Sequence, residues 1–459
     1  MNSVAITDNS SRCFCEVALE SNRKAVFADL QNIANYSVKE LLKQNSNLLV
    51  FPHCLNAVED KFDDLKICSL SGSVENLQKS KIETTNLMGF VGSNNTELRI
   101  RSRFAPKDRE DFFLHYMLQK VFSINVVDFK VSRDDDSVFD FLLYLFPHYL
   151  NRALSQGLYK EYQCKEYNDD RVRGPIDVSR HIRYNIPFNG KIAYHTREYS
   201  TDNRLTQLIR HTIEYIASTP QASILKNDRD CCENVAKIRM ATPSYSLRNR
   251  FLVLSKNARP ITNPYFTEYH TLQTLCVNIL NHRKLKFGRS KNEVYGVLFD
   301  GAWLWEEYLW TVLKKNGFEH PQNKLHGKPW HLFTNGRYAR YPDFFNDKLI
   351  LDAKYKHLAR LDEEKLCRCV DRDDFHQMIS YMHISEKYQD GNNRLGGFIF
   401  PDEKASLKSE KYEIGTLNGL GGVISLYGFP IPDGGKCDNF ADFSKEMKLA
   451  EEQVQKMVV

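Results

Sequence analysis

No run of 18 apolar residues occurs in this 459-residue chain, which excludes an ordinary membrane-spanning helix. The start, MNSVAITDNSSRCF, lacks the basic flank and apolar centre of a secretory leader. Eleven cysteines are too sparse for a disulfide scaffold, their number is odd, and no CxxC pair occurs. Cys13-x-Cys15 and Cys367-x-Cys369 have no second pair at zinc spacing. His376 and His383 lie seven apart without a third ligand, which argues against zinc there. These absences lead to the expectation of reduced thiols in a cytoplasmic protein with no membrane association. There is no internal repeat, and no GxxxxGK[ST] loop to cradle a nucleotide's phosphates. The glycine-rich run Leu417–Gly422 lacks the Lys-Ser/Thr pair and reads as a turn ahead of a strand, Val423–Leu426.

What is present is globular material: 42% hydrophobic residues, 26% charged, 28 Phe and 23 Tyr. The length suggests about three domains. The net charge of +5 is unevenly spread. Residues 1–155 hold 18 basic and 20 acidic groups, residues 156–285 hold 20 and 12, and residues 286–459 hold 25 and 26. Only the middle third, at net +8, is suited by charge to a polyanion; a plain solubilising surface is the other reading of the same count.

Local patterns give the elements. Ser69–Asn95 is polar and turn-rich, as between short strands. Leu98–Phe104 alternates apolar with basic or polar residues, the period of a strand with an exposed basic face. Asp111 precedes a helix, and Asp134-Asp135-Asp136 would cap a longer apolar one, Val138 to about Leu154, that Gly157 closes. Ser200, Thr201 and Asp202 are cap candidates for a helix to Ala217 with Leu205, Leu208, Ile209, Ile213 and Ile216 on one face. Gly174-Pro175 marks a fixed turn between Arg173 and Asp177, read as a structural pair or as a contact for DNA or a partner. From about Glu293 the order is helix, strand, strand, helix, strand, strand, helix.

The chemistry concentrates in Arg340–Lys356. Asn346-Asp347 divides two short apolar runs and suits a two-residue turn. A tight hairpin there would set Phe345 opposite Lys348, Phe344 opposite Leu349 and Asp343 opposite Ile350. Alternation then puts Asp343, Ile350, Asp352 and Lys354 on one face, with Asp352 diagonal to Asp343. Two carboxylates on an otherwise apolar strand pair are costly unless neutralised. Mg²⁺ prefers such oxygen ligands, and Lys354 would orient water or stabilise charge on a phosphate. Upstream, Leu298–Leu313 reads as an amphipathic helix. Glu306 lies beside its apolar stripe, while Glu307 is turned about 100° away and is expected to be solvated. Downstream, a helix beginning at Asp374 sets Gln377 and Tyr381 on one face, and Leu395–Pro401 is a strand.

This order of helix-Glu, Pro-Asp, Asp-x-Lys, helix and strand resembles the PD-(D/E)xK nuclease superfamily. Three outer segments, Gly157–Tyr162, Val172–Val178 and Tyr199–Leu205, extend the resemblance to the McrC family, the nuclease subunit of McrBC- and LlaJI-like restriction systems. Leu304-Trp305-Glu306 is similar to that family's Leu-Phe-Glu, and Asp374–Tyr381 to its Gln-x-x-x-Tyr helix. The likeness covers about residues 98–401. It implies an α/β fold with a C-terminal restriction-endonuclease-like domain (286–459). Charge and pattern put before it an α+β region (1–155), which at net −2 suits partner docking better than DNA, and a basic, mainly helical middle region (156–285). It further implies Mg²⁺-dependent cleavage of DNA, with Asp343 and Asp352 on the metal and Lys354, Glu306 and Gln377 assisting. The implied partner is an AAA+ GTPase whose hydrolysis the subunit stimulates. A non-catalytic activator of that GTPase and a stand-alone nucleic-acid-binding protein are the rival readings.

Overall fold

In a computed structural model, the chain is described for residues 2–45, 48–52, 64–107, 109–122, 137–226, 228–257, 259–285, 294–321, 330–333, 335–357, 370–385, 395–403, 410–417 and 420–457. Asp134-Asp135-Asp136, Cys367 and Cys369 lie outside these residues, as do Asn418 and Gly419 of the glycine-rich run. The class is mixed α/β with several sheets. No described helix is long and apolar enough to cross a membrane.

The chain divides differently from the expected cuts at 155/156 and 285/286. Residues 1–127 and 290–459 form one compact unit, and 128–289 the other. The reason is a strand. Val294–Asp300, expected to lead into or begin a helix, enters the N-terminal sheet instead. It pairs antiparallel with Leu87–Ser93 and parallel with Leu48–Phe51. The sheet continues through Thr96–Arg101 to Asn2–Thr7. The helix then starts one strand later, at Gly301, with Asp300 accepting from Trp303 N at 2.7 Å. Burial raises Asp300 to about 6, against the opposing pull of the capping amides.

Two buried polar ties hold this unit together. Glu451, on the C-terminal helix Phe440–Met457, accepts from Tyr116 (2.8 Å), Lys120 (2.9 Å) and Tyr308 (3.1 Å). Arg103 binds Asp8 at 2.6 Å, Asn86 at 2.6 Å and the Tyr355 carbonyl at 3.1 Å. The expected exposed basic face of Leu98–Phe104 is thus not exposed. Arg99 and Arg101 are half-buried, Arg99 pairs with Glu97, and Arg103 is enclosed with its partners.

A second sheet of the same unit has the order Phe344–Phe345, Leu349–Ala353, Leu395–Asp402, Leu420–Pro430, Glu410–Leu417. Its three central strands run parallel. Parallel strands are covered on both faces, which is why Leu349, Ile350 and Leu351 are apolar in succession and all buried. The face bearing Ile350 packs on Met378, Tyr381 and Met382 of the helix Arg372–Ser385.

In the other unit, the long helix spans Ser137–Ser155, and Gly157 follows it with φ +90°. The helix Arg204–Ala217 buries the five expected residues. Its cap is Asn203, not Ser200, Thr201 or Asp202: the Asn203 side chain accepts from Leu205 N and Thr206 N. Strands Glu161–Asp169 and Ile192–Ser200 form a two-stranded ribbon. Arg173 and Asp177 are not a pair. Arg173 bonds Tyr194 Oη at 2.9 Å and Asp169 at 3.4 Å, whereas Asp177 caps the helix Val178–Asn185. Gly174 lies so close to the ribbon that a Cβ there would stand 2.1 Å from the His195 carbonyl oxygen.

Two stability predictions follow from these buried groups. Arg103→Ala strands Asp8 in a site that it cannot leave, a change of the kind that costs about 3–5 kcal/mol; the urea midpoint reads it, and an unchanged midpoint would refute the tie. His211 is fully enclosed with neither ring nitrogen hydrogen-bonded. Burial, then Arg250 and Arg210, lower it to about 4. A folded value below the unfolded one means full stability above the unfolded value, lost as the pH falls from there toward 4. At pH 5 the loss is roughly 2 kcal/mol. His211→Gln should flatten the difference between unfolding midpoints at pH 7 and pH 5.

Candidate active site

The sheet places the expected residues together, with one slip in register. Phe344 pairs with Leu351 and Phe345 with Ile350, and Asn346 N donates to Leu349 O at 3.0 Å. The turn is therefore Asp347-Lys348, one residue later than Asn346-Asp347. Asn346 stabilises it by accepting from Lys348 N and Leu349 N at 2.9 and 2.8 Å. Moving the turn by one residue moves the pairing by two, an even step that keeps every side chain on its face. Asp343 thereby falls directly opposite Asp352 instead of diagonal to it. Its Oδ2 accepts from Ala353 N at 2.7 Å, which fixes the carboxylate against the strand that bears Asp352 and Lys354.

Lys354 lies on that face as expected. Its Nζ is 2.7 Å from Asp352 Oδ2 and 2.7 Å from Asp374 Oδ1. Burial alone would lower the lysine, but the two carboxylates more than offset this and hold it above its ordinary value. Asp352 is 3% exposed. Burial raises it, with Lys354 opposing, whereas Asp343 is pushed well up by burial and then by the neighbouring charge of Asp352.

Glu306 joins the same cluster. Burial, then Asp343, Glu307 and Asp352, push its carboxyl well above the usual range. Glu307, expected to be solvated, is half-buried to the same degree as Glu306, with His320 beside both. His320 Nε2 lies 3.7 Å from Oε1 of both Glu306 and Glu307, and Nδ1 is 2.7 Å from the Asp343 carbonyl oxygen. The buried imidazole also packs on Trp310 and Phe344.

Gln377 does not reach the carboxylates through a contact of its own. Its Nε2 donates to Tyr381 Oη at 2.6 Å, and that hydroxyl donates to the Tyr341 carbonyl at 3.0 Å. The pair thus holds the turn leading into Pro342-Asp343. Burial, with Asp352 and Asp343 adding to it, raises Tyr381, so it stays a neutral donor.

Sequence reasoning passed over His320, and named Asp374 only as a helix start. Asp374 was within reach: 374, 377 and 381 follow i, i+3, i+7, one stripe of a helix. No local signal marks His320, which meets the site only through folding.

Among the described residues, no three His, Cys, Asp or Glu side chains form a metal-holding group. The donor set is instead a pair of carboxylates opposite each other. That fits Mg²⁺, which takes one or two carboxylates and completes its shell with water and phosphate oxygen. Such crowding should cost stability. Asp343 sits above its unfolded value, so its destabilising effect is absent at low pH, grows as the pH rises from the unfolded value toward the folded one, and is constant above that. Asp343→Asn keeps an acceptor for Ala353 N and removes the charge. It should raise the urea midpoint by an amount worth about 0.5–2 kcal/mol near neutrality and by nothing near pH 3; lower stability at pH 8 than wild type would contradict the cluster.

A family model described as McrBC 5-methylcytosine restriction system component matches residues 82–401. The match starts before residue 98, taking in the strand Leu87–Ser93. No curated protein matches the chain. One similar solved structure is a half-complex of Thermococcus gammatolerans McrB AAA+ hexamers with bound McrC, 18% identical, covering 97% of this chain and 99% of that one at a TM-score of 0.48. Another is the cryo-EM structure of the Thermococcus gammatolerans McrBC complex, 16% identical, covering 68% and 88% at 0.34. With the family model spanning well over half of its length, the chain belongs to the McrBC restriction-system component family.

Proposed function

We propose that this chain is the nuclease subunit of an McrBC-like restriction system, and that its C-terminal sheet is a PD-(D/E)xK site for hydrolysing DNA phosphodiesters. The observation that carries the reading is the meeting of Asp343, Asp352 and Lys354 on one face of the sheet, with Glu306 brought to them from a separate helix. A surface ion pair would need neither the burial nor the third carboxyl.

Asp343 and Asp352 would hold Mg²⁺, which when bound supplies positive charge to the phosphate and makes a water more acidic. The chain's own residues do the rest. Ala353 N fixes one oxygen of Asp343. Lys354 holds a positive charge beside the reacting phosphate, where it stabilises the negative charge that grows on the oxygens. Glu306, whose carboxyl is pushed up by burial and by the neighbouring Asp343 and Glu307, would serve as an auxiliary acid. Gln377 and Tyr381 position the Pro342-Asp343 turn.

The partner in this reading is an McrB-like AAA+ GTPase, whose hydrolysis the chain stimulates, and DNA is the substrate. Family membership supports the pairing. The lack of a Walker-type loop in the sequence agrees with a subunit that leaves nucleotide hydrolysis to its partner.

Asp343→Ala or Asp352→Ala should abolish Mg²⁺-dependent cleavage in the presence of the partner, by at least about 10³-fold, while GTPase stimulation persists. Lys354→Ala should do likewise with metal binding retained. Wild-type cutting by Asp352→Ala would refute the site, and GTP hydrolysis by the purified chain alone would refute the division of roles.

A further inference from the structure

Lys354 is held by two carboxylates, and the proposed site has a use for only one of them. Asp352 is the strand neighbour and a metal ligand in the reading above. Asp374 comes from the helix Arg372–Ser385, and its two oxygens are divided. Oδ1 takes Lys354 at 2.7 Å, while Oδ2 takes Lys356 at 3.4 Å and Asp371 N at 3.1 Å. The backbone amide and the second lysine therefore fix Asp374 in place, whereas Lys354 is a flexible stem with both anchors in reach. The Lys354 and Asp374 side chains are each 15% exposed and that of Asp352 is 5% exposed, so water screens this arrangement little. The Phe398 ring lies 5.8 Å from the ammonium and limits where it can go.

We propose that Asp374 is a positioning residue that shares Lys354 with Asp352, so that the ammonium can yield the Asp352 carboxylate to a divalent cation without leaving the site. This rests on the metal-site reading of Asp343 and Asp352. An ammonium 2.7 Å from a metal ligand competes with the metal for the same charge. With Asp374 present, Lys354 has a second anion and gives up little by releasing Asp352. With Asp374 neutral, all of its attraction falls on Asp352, and the cation must displace it. Asp374 thus favours metal entry through Lys354, not by touching metal or phosphate.

The test is Mn²⁺ binding to the full-length chain without DNA or partner, followed by water-proton relaxation, with circular dichroism as the check on folding. Asp374→Asn should weaken Mn²⁺ about tenfold, the scale of one coupling between groups in contact. Lys354→Met should tighten it, because the competitor is gone. In the double variant, Asp374→Asn should change the Kd by less than about twofold relative to Lys354→Met, since its effect passes through the lysine. Asp374→Glu should recover most of the affinity. Equal weakening by Asp374→Asn with and without Lys354, or no weakening at all, would overturn the assignment of Asp374 and leave the metal site standing. No Mn²⁺ bound by the wild-type chain would overturn the metal site and this inference together.

Discussion

Tyr355 follows Lys354 by one residue, and its placement sets the geometry of everything before it. Its carbonyl accepts from Arg103, whose guanidinium also carries Asp8 and Asn86. Its ring is buried against Phe104 and lies so near Gly301 that a Cβ there would stand 2.6 Å from the ring. Three segments far apart in sequence thus close on one residue: the N-terminal sheet, the start of the Glu306 helix, and the end of the strand bearing Asp352 and Lys354. A larger residue at 301 would push the helix from the strand, and Glu306 with it. The N-terminal region is therefore part of the support of the candidate site.

That support has to withstand repulsion. Glu306, Asp343 and Asp352 all sit above their ordinary range, and Lys354 is the cation in direct contact with Asp352. Left alone, such a group would separate into solvent. It is prevented from doing so by contacts that do not depend on its charge: the Ala353 amide on Asp343, the His320 imidazole against the Asp343 carbonyl, and the apolar packing of Ile350 under the helix Arg372–Ser385. Electrostatic strain retained by rigid surroundings is the arrangement a cation site needs, because the cation then relieves a cost already present in the fold.

How much of this was legible follows from which interactions are local. Asp343, Asp352 and Lys354 could be placed on one face because strand alternation has a period of two, and a turn misplaced by one residue shifts pairing by two and leaves the faces intact. Glu306 could be placed beside an apolar stripe by helical period alone, but its neighbour Glu307 was read as solvated because nothing in the helix announces His320. The joining of residues 290–459 to residues 1–127 in one compact unit turns on Val294–Asp300. Its sequence is apolar enough for either element, and its hydrogen-bond partners lie some 200 residues upstream. Arg103 was read as part of an exposed basic face because alternation reports a side, not what covers it. The cap at Asn203 was missed by one residue, the usual uncertainty of a run in which Ser, Thr, Asp and Asn all qualify.

The same distinction bears on the basic middle segment. A formal net of +8 counts charges as if each were free, yet many are engaged within their own unit. Arg173 pairs with Asp169, Arg180 with Glu166, Arg204 with Glu161, Arg229 with Glu233, and both Arg210 and Arg239 with Glu214. An arginine held by a carboxylate can still face a phosphate, but it must first share or lose its partner, so its contribution to polyanion binding is smaller than its charge suggests. Charge count therefore says little about where DNA would be gripped. The carboxylate pair is more informative, because Asp352 is buried, Asp343 is half-buried opposite it, and both are raised above their ordinary values, Asp343 in part by the charge of Asp352.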